Sequence, residues 1–307
     1  MLTITREHVI YDMCREHKPV ANVNQDTDFL FETRDASDGQ VVTGGEWYAG
    51  LDRRRANPAT GPVYINGAMP GDTLAVSIKR IDVASAGYVR AGKDKGVLGA
   101  YLHGGELVRM NIVKDADTGA EYADFRAAGL RIALNKMVGV IGTAPPDFRS
   151  ISTIEPGLHG GNLDDKDIGE GSVVLLPVNV PGALLALGDI HAAMGDGESS
   201  ISGLECEAGV TVSVKVLRGK VYPLPMVVTP RHVSTVASHE DLDKAAELAV
   251  ANMVDYLCGY EGFSKYHALM MVSMVGDVRI CQLVNPKKTA RVEFPLEYLT
   301  KREVHPC

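Results

Sequence analysis

The sequence predicts a β-rich α+β protein: a β-sandwich-like body followed by a smaller α+β portion with a helical pair near the C-terminus. Three observations predict it. Short runs that alternate apolar and polar residues, or are apolar throughout, recur between Gly- and Pro-rich turns as far as Ser238. A capped helical period comes only after them. The regular strand–helix alternation of a doubly wound sheet is missing. These shifts place the body at residues 1–217 and the α+β portion at 218–307.

The elements follow in order. Tyr64-Ile65 and residues 74–78 read as strands around a turn-rich connection, residues 66–72. Residues 138–141, 173–176 and 183–187 are short apolar runs bounded by Gly and Pro, suited to strands buried on both faces, with short buried helices as the alternative that periodicity leaves open. Val210, Val212, Val214 and Val216 alternate with Thr, Ser and Lys, so that strand has one buried and one wet face. Ser238-His-Glu-Asp241 reads as a capping box opening a helix. Leu242, Ala245, Ala246, Ala249, Met253 and Leu257 then keep helical spacing, and Gly259 offers a stop. A second helix is expected over residues 264–275, then a strand over 278–284 that Asn285-Pro286 ends.

Composition excludes several function classes. The 307 residues carry 31 Lys+Arg against 39 Asp+Glu, a net charge of −8. That balance argues against nucleic acid or an anionic membrane as partner, both of which need clustered cations. Residues 173–188, the longest apolar stretch, are broken by Pro177, Asn179 and Pro181 and are too short to span a bilayer. No signal peptide is expected, because charge enters with Arg6 and Glu7 before any apolar run. The cysteines at 14, 206, 258, 281 and 307 form no CxxC pair, and their odd number suggests reduced thiols in the cytoplasm.

Chemistry concentrates in residues 155–205. Glu155-Pro-Gly-Leu-His159-Gly160-Gly161-Asn162-Leu-Asp164 and Gly188-Asp189-Ile-His191-Ala-Ala-Met-Gly-Asp196-Gly-Glu198 are glycine-punctuated segments beside apolar strands, and Glu205 follows. His and carboxylates are ligands for zinc-like divalent cations. On an extended segment Asp189 and His191 share a face and can converge on one ion or water. The competing reading is a polar turn capped by Asp. Asp196-Gly197-Glu198 reads first as a hairpin turn, with calcium ligation as the alternative. Leu102-His103-Gly-Gly echoes Leu158-His159-Gly-Gly, as two loops facing across a site would or as chance in a Gly-rich chain. Asp52-Arg-Arg-Arg55 reads as a solvated, salt-bridged run, and Cys206 as a buried inert thiol. No Gly-x-Ser-x-Gly nucleophile elbow occurs.

Together, several stretches resemble the acetamidase/formamidase family: Asn57-Pro-Ala-Thr-Gly-Pro62, Gly67-Ala-Met-Pro-Gly-Asp-Thr73, Pro156-Gly-Leu-His-Gly-Gly-Asn-Leu-Asp164, Leu187-Gly-Asp-Ile-His-Ala-Ala-Met-Gly-Asp-Gly-Glu198 and Gly276-Asp-Val-Arg-Ile280. Met194 stands where the family often has Gln, and Leu163 where Met is common; neither position offers an essential acid or base. The resemblance implies a fold related to jelly-roll sandwiches, a homo-oligomer (a dimer) in the cytoplasm, and hydrolysis of a short aliphatic amide to carboxylate and ammonia. It carries over to Asn162, Asp164, Asp189, His191, Asp196 and Glu198, and less distinctively to Asp35 and Glu205.

An amide needs an activated water, stabilisation of the oxyanion and a proton for the leaving nitrogen. A divalent ion serves the first two, zinc ahead of calcium. Asp189, His191 and His103 are the expected ligands, with Asp164, Asp196 and Glu198 serving a second ion or ordering loops. Glu205 is the expected proton shuttle beside Asp35 and His159, and Gly160, Gly161 and Asn162 are expected to face substrate and oxyanion. The rival is a non-catalytic β-sandwich that binds a small ligand or calcium.

Overall fold

Two sheets and a helical layer account for the periodicities. A computed structural model describes residues 1–41, 51–219 and 222–300. Its larger sheets have nine and eleven strands. The nine-stranded sheet runs in the order Leu2–Ile4, Phe29–Thr33, Ala208–Leu217, Thr73–Val83, Val173–Pro177, Met226–Val228, His232–His239, Lys288–Pro295 and Asp277–Gln282. The eleven-stranded sheet places Leu185–His191 between Met137–Gly142 and Glu205–Cys206, and Ala59–Ile65 also pairs with it.

The side-chain alternation explains the layering. Leu74, Val76, Val174, Leu176, Val210, Val212 and Val214 face Val138, Ile141, Leu185 and Leu187 of the other sheet in one core. Ala75, Val173 and Leu175, one residue out of phase, turn the opposite way. They meet Met226, Val228 and the helical residues Ala249, Met253, Tyr256 and Leu257. The central strands of the nine-stranded sheet are therefore buried on both faces, as their unbroken apolar runs predict. Each fully buried Val or Leu there stabilises the fold by roughly 1.5–3 kcal/mol.

The helical pair forms, with different punctuation from that expected. Helix α1 spans Leu242–Glu261 and is capped by Asp241, whose carboxylate accepts the Lys244 N–H. Ser238 is not the cap, because it remains in the His232–His239 strand with its hydroxyl 3.0 Å from that of Thr289. Gly259 lies inside α1, which runs on to a left-handed Gly262 at φ 78°. The added turn carries Tyr260, which stacks on Tyr222 and Tyr256 at 4.8 and 5.1 Å. Helix α2 spans Lys265–Val275 with Ser264 as its cap, as expected. The strand after it stops at Gln282, because the Gln282 side-chain oxygen takes the N–H groups of Val284 and Asn285 and turns the chain early.

The nine-stranded sheet continues past residue 217: Ala208–Leu217 pairs with Thr73–Val83, and Met226–Val228 with Val173–Pro177. The body and the α+β portion thus share one sheet. No helix among the described residues is long and apolar enough to cross a membrane.

Candidate active site

The site is built on Leu185–His191. In the antiparallel register His191 lies directly opposite Glu205. Directly opposed side chains meet, and His191 Nε2 comes within 3.3 Å of Glu205 Oε2 and 3.6 Å of Asp189 Oδ1. Asp189 holds a left-handed backbone at φ 57° inside the strand. The ladder with Met137–Gly142 skips the Gly139–Asp189 pair there. A Cβ on Gly139 would sit 2.6 Å from Asp164 Oδ1 and 3.0 Å from Asp189 Oδ2, so only bare backbone lets the two carboxylates share this space. Gly203 backs the imidazole in the same way, since a Cβ there would lie 2.7 Å from His191 Cγ.

Asp164 and Glu198 complete the cluster. Asp164, His191 and Glu198 offer ligand atoms within 4.8 Å of one another, and so do Asp189, His191 and Glu205. Asp164, Glu198 and Asn57 share the left-handed backbone of Asp189, at φ 45°, 44° and 50°. Left-handed residues other than Gly collect where surrounding structure imposes a geometry, commonly at functional sites. Neutral amides hold the outer oxygens: Asn57 Nδ2 donates to Asp189 Oδ2 and Asn285 Nδ2 to Asp164 Oδ2, each at 2.6 Å.

The whole cluster is buried, yet Asp164 Oδ1, Asp189 Oδ1, Glu198 Oε2, Glu205 Oε2 and both His191 nitrogens lack hydrogen-bond partners. Buried polar atoms normally find partners. Such atoms gathered in two sets that share His191, Asp164 with Glu198 and Asp189 with Glu205, suit a bound cation, and the carboxylate–imidazole donors have the chemistry of a divalent one. Burial, then the Asp189 charge, raises the Asp164 carboxyl to about 6. Burial raises Glu205 to about 7 and holds Glu198 well above the carboxylate range. Burial opposes the charged form of His191, but the Glu205 and Asp189 carboxylates outweigh it and lift that imidazole well above its ordinary value. Protons thus balance a negative excess that a cation would otherwise neutralise.

The cluster opens into a cavity of about 580 Å³ whose lining includes Asn57, Arg90, Asn162, Asp189, Glu198, Glu205 and Asn285. Asn162 lines this cavity, and its buried side-chain oxygen has no hydrogen-bond partner. The expected residues divide accordingly. The structure brings together Asp164, Asp189, His191, Glu198 and Glu205, with Asn162 beside them on the cavity wall.

It does not bring His103, which is exposed at the end of the hairpin where Gly92 pairs with Gly105. Asp196 is not in the cluster either, because the buried Arg291 guanidinium and Lys166 hold its carboxylate at 2.8 and 2.9 Å. A turn does close there, with the Glu198 N–H donating to Gly195 O, but it is not a hairpin, since Gly197 bridges Gln282 in parallel; of its two carboxylates only Glu198 belongs to the cluster. Gly160 and Gly161 serve close packing: a Cβ on them would meet Ile141 O at 2.2 Å and Glu155 O at 2.3 Å. The Gly160 N–H already donates to Gly157 O, so it is not an oxyanion donor. His159 is buried outside the cluster, and burial depresses its imidazole to about 4. Asp35 closes a turn by accepting the Ser37 N–H at 2.7 Å and also the Tyr88 hydroxyl at 3.3 Å.

Asn57, Asn285 and Arg90 went unassigned in the sequence. Asn57 did stand in a matching stretch, but nothing in a lone Asn reveals which carboxylate it will hold. Cys206 is buried, and burial raises its thiol to about 12, which fits an inert role. A second His–carboxylate group, Asp167, His232 and Glu293, is tied up by Arg291, which bonds Asp167 and Glu293 at 3.0 and 2.7 Å.

Comparison with known proteins agrees with this fold. The profile of the acetamidase/formamidase family matches residues 13–148 and 148–300. An acetamidase from Bacillus halodurans superposes with a TM-score of 0.92 at 41% identity, covering 97% of this chain and 98% of that one. A predicted acetamidase/formamidase from Thermoanaerobacter tengcongensis gives 0.91 at 38% identity, with 97% of both chains covered. The acetamidase of Mycolicibacterium smegmatis is 24% identical over 80% of this chain and 81% of its own length. Local similarity to formamidases spans only 17% of those proteins. With both the profile and the superpositions running over nearly its whole length, the chain belongs to the acetamidase/formamidase family of amidohydrolases.

Proposed function

We propose that this enzyme hydrolyses a short aliphatic amide, formamide- or acetamide-like, with a divalent ion held by Asp164, Asp189, His191 and Glu198. The observation that carries the reading is the convergence of buried, unpartnered carboxylate oxygens and imidazole nitrogens at the floor of the cavity. The imidazole favours zinc over calcium, which prefers oxygen donors alone. When bound, such an ion polarises a carbonyl and acidifies a water.

The chain's own groups supply the rest. Glu205, raised to about 7, takes a proton from the attacking water near neutral pH and returns it to the leaving nitrogen. The carbon–nitrogen bond breaks as carboxylate and ammonia form. Asn162 Oδ1 accepts an N–H of the substrate amide and orients it. Asn57 and Asn285 fix the Asp189 and Asp164 carboxylates without adding charge. Burial excludes bulk water from the cluster and strengthens each of these contacts.

The free cysteines Cys14, Cys206, Cys258 and Cys281 suit a reducing cytoplasm. A homo-oligomer, at its simplest a dimer, suits the apolar Tyr266, Leu269, Met270 and Met274 exposed on α2 beside the edge strand Asp277–Gln282. Ammonia release from formamide, acetamide and longer amides by the purified enzyme tests the function. A rate equal to buffer across that panel overturns it.

A further inference from the structure

The loop that joins Asp277–Gln282 to Lys288–Pro295 runs along the cavity wall, and one side chain holds it from within. Gln282 is fully buried and pairs with Thr289 at the base of this connection. Its side-chain oxygen accepts the Val284 and Asn285 N–H groups at 2.8 and 2.9 Å. Its Nε2 donates to Lys287 O at 2.6 Å and to Thr289 Oγ1 at 3.0 Å. A glutamine amide has two donor hydrogens and two acceptor lone pairs. All are spent on the loop and the neighbouring strand.

Two of the residues proposed to hold the ion depend on this loop. Asn285, set by the Gln282 oxygen, donates from Nδ2 to Asp164 Oδ2 at 2.6 Å and to Asn162 O at 3.4 Å. On the other side Gln282 bridges Gly197 in parallel. The Gly197 N–H donates to Cys281 O at 2.9 Å, and the Leu283 N–H donates to Gly197 O at 3.1 Å. Glu198 is the next residue. Asp164 and Glu198 together make one of the two ligand sets that share His191. The other set, Asp189 with Glu205, rests instead on the pairing of Leu185–His191 with Glu205–Cys206.

We propose that Gln282 is the positioning residue of the ion site, fixing Asp164 through Asn285 and Glu198 through Gly197 while touching neither ion nor substrate. This deepens the ion-dependent reading and rests on it. The cavity takes Leu283, Val284 and Asn285 from the loop but not Gln282, so the action is indirect. Without the Gln282 amide, the Val284 and Asn285 N–H groups and Lys287 O lose their partners, and buried groups left so force the backbone to a new turn. Such a turn moves Asn285 away from Asp164 and shifts the bridge that carries Glu198. Partners of metal-binding carboxylates fix ligand direction, and losing one typically weakens metal binding about 10–100-fold.

The test measures zinc dissociation constants by chelator competition on metal-stripped full-length protein, each variant first shown folded by circular dichroism. Gln282→Met and Asn285→Ala should each weaken zinc binding about 10–100-fold. Combined, they should weaken it by less than the product of the two effects, because both act on Asp164. Met253→Ala, in the helix-covered core, lowers stability without touching the loop and should leave the zinc constant unchanged. Where Gln282→Met does not fold, Gln282→Glu takes its place, since it keeps both acceptors and loses only the donors. Parent-like zinc binding in either folded Gln282 variant or in Asn285→Ala, effects that multiply in full, or an equal loss in Met253→Ala overturns this inference alone. If the parent itself binds no zinc while turning over acetamide, the ion-dependent reading falls and takes this one with it.

Discussion

Asp189 sits in a left-handed backbone that costs a residue with a side chain on the order of 1 kcal/mol or more, in the middle of an otherwise regular strand. The conformation turns its carboxylate toward His191 Nε2 while Asn57 holds the other oxygen. Asp189→Ala and His191→Ala should therefore each abolish ion binding and lower turnover by several orders of magnitude. A folded double variant with near-normal kinetics refutes both as ligands. Glu205→Gln keeps shape and removes the base, so turnover should fall about 10²–10⁴-fold with the ion content intact; turnover within a few-fold of the parent removes Glu205 from the proton path. His159 offers a test by pH. Its folded value, depressed to about 4, lies below the ordinary 6.5, so the unfolded chain binds the extra proton first. Its neutral burial is tolerated fully above pH 6.5 and should cost increasing stability as pH falls toward 4, up to about 3 kcal/mol. Urea midpoints of His159→Asn should flatten across that window; an unchanged acid limb contradicts the assignment.

At the scale of elements, what the sequence revealed follows from which periods are local. The Asp189–His191 pair was legible from its two-residue spacing, and the two do meet, but the left-handed backbone at Asp189, which interrupts the strand alternation, is what turns the carboxylate to the imidazole. Glu205 was found by proximity to the motif, but its real reason is a cross-strand register that no local pattern contains. Asp164, Asn57 and Asn285 arrive from different strand ends, so their shared task is set by tertiary structure. His103 misled because a motif echo carries no information on where a hairpin tip points. The α1 cap moved from Ser238 to Asp241 for a similar reason: the sheet claimed Ser238 first. Gly139 was invisible as a single glycine in an apolar run, yet the Met137–Gly142 strand needs it to pass beneath two carboxylates. Gly139→Ala should displace Asp164 and Asp189, lower turnover at least 10²-fold, and cost about 1–3 kcal/mol through overpacking. Parent-like ion affinity in that variant would show that the carboxylates do not depend on the space.

At the scale of the molecule, a sandwich core and a helix-covered core lie on opposite faces of one sheet. Arg291 links that sheet to the loops behind the site. It is fully buried in the Lys288–Pro295 strand and contacts Asp165, Asp167, Asp196 and Glu293. Arg291→Met leaves these acids without their cation, so denaturant unfolding should show a loss of about 3–5 kcal/mol. A loss below 1 kcal/mol means the acids find other partners. The loop carrying Glu198 is tied to the same portion, since Gly197 N–H donates to Cys281 O and Leu283 N–H to Gly197 O. Site and helical portion are therefore expected to fail together. The central claim is that a cation in the His191 cluster makes this fold an amidase. It is tested most directly by exhaustive chelation with measured metal content, followed by acetamide turnover, circular dichroism and zinc add-back. A folded, inactive enzyme that recovers with stoichiometric zinc is expected, whereas full turnover by verifiably metal-free protein contradicts a role for the cation.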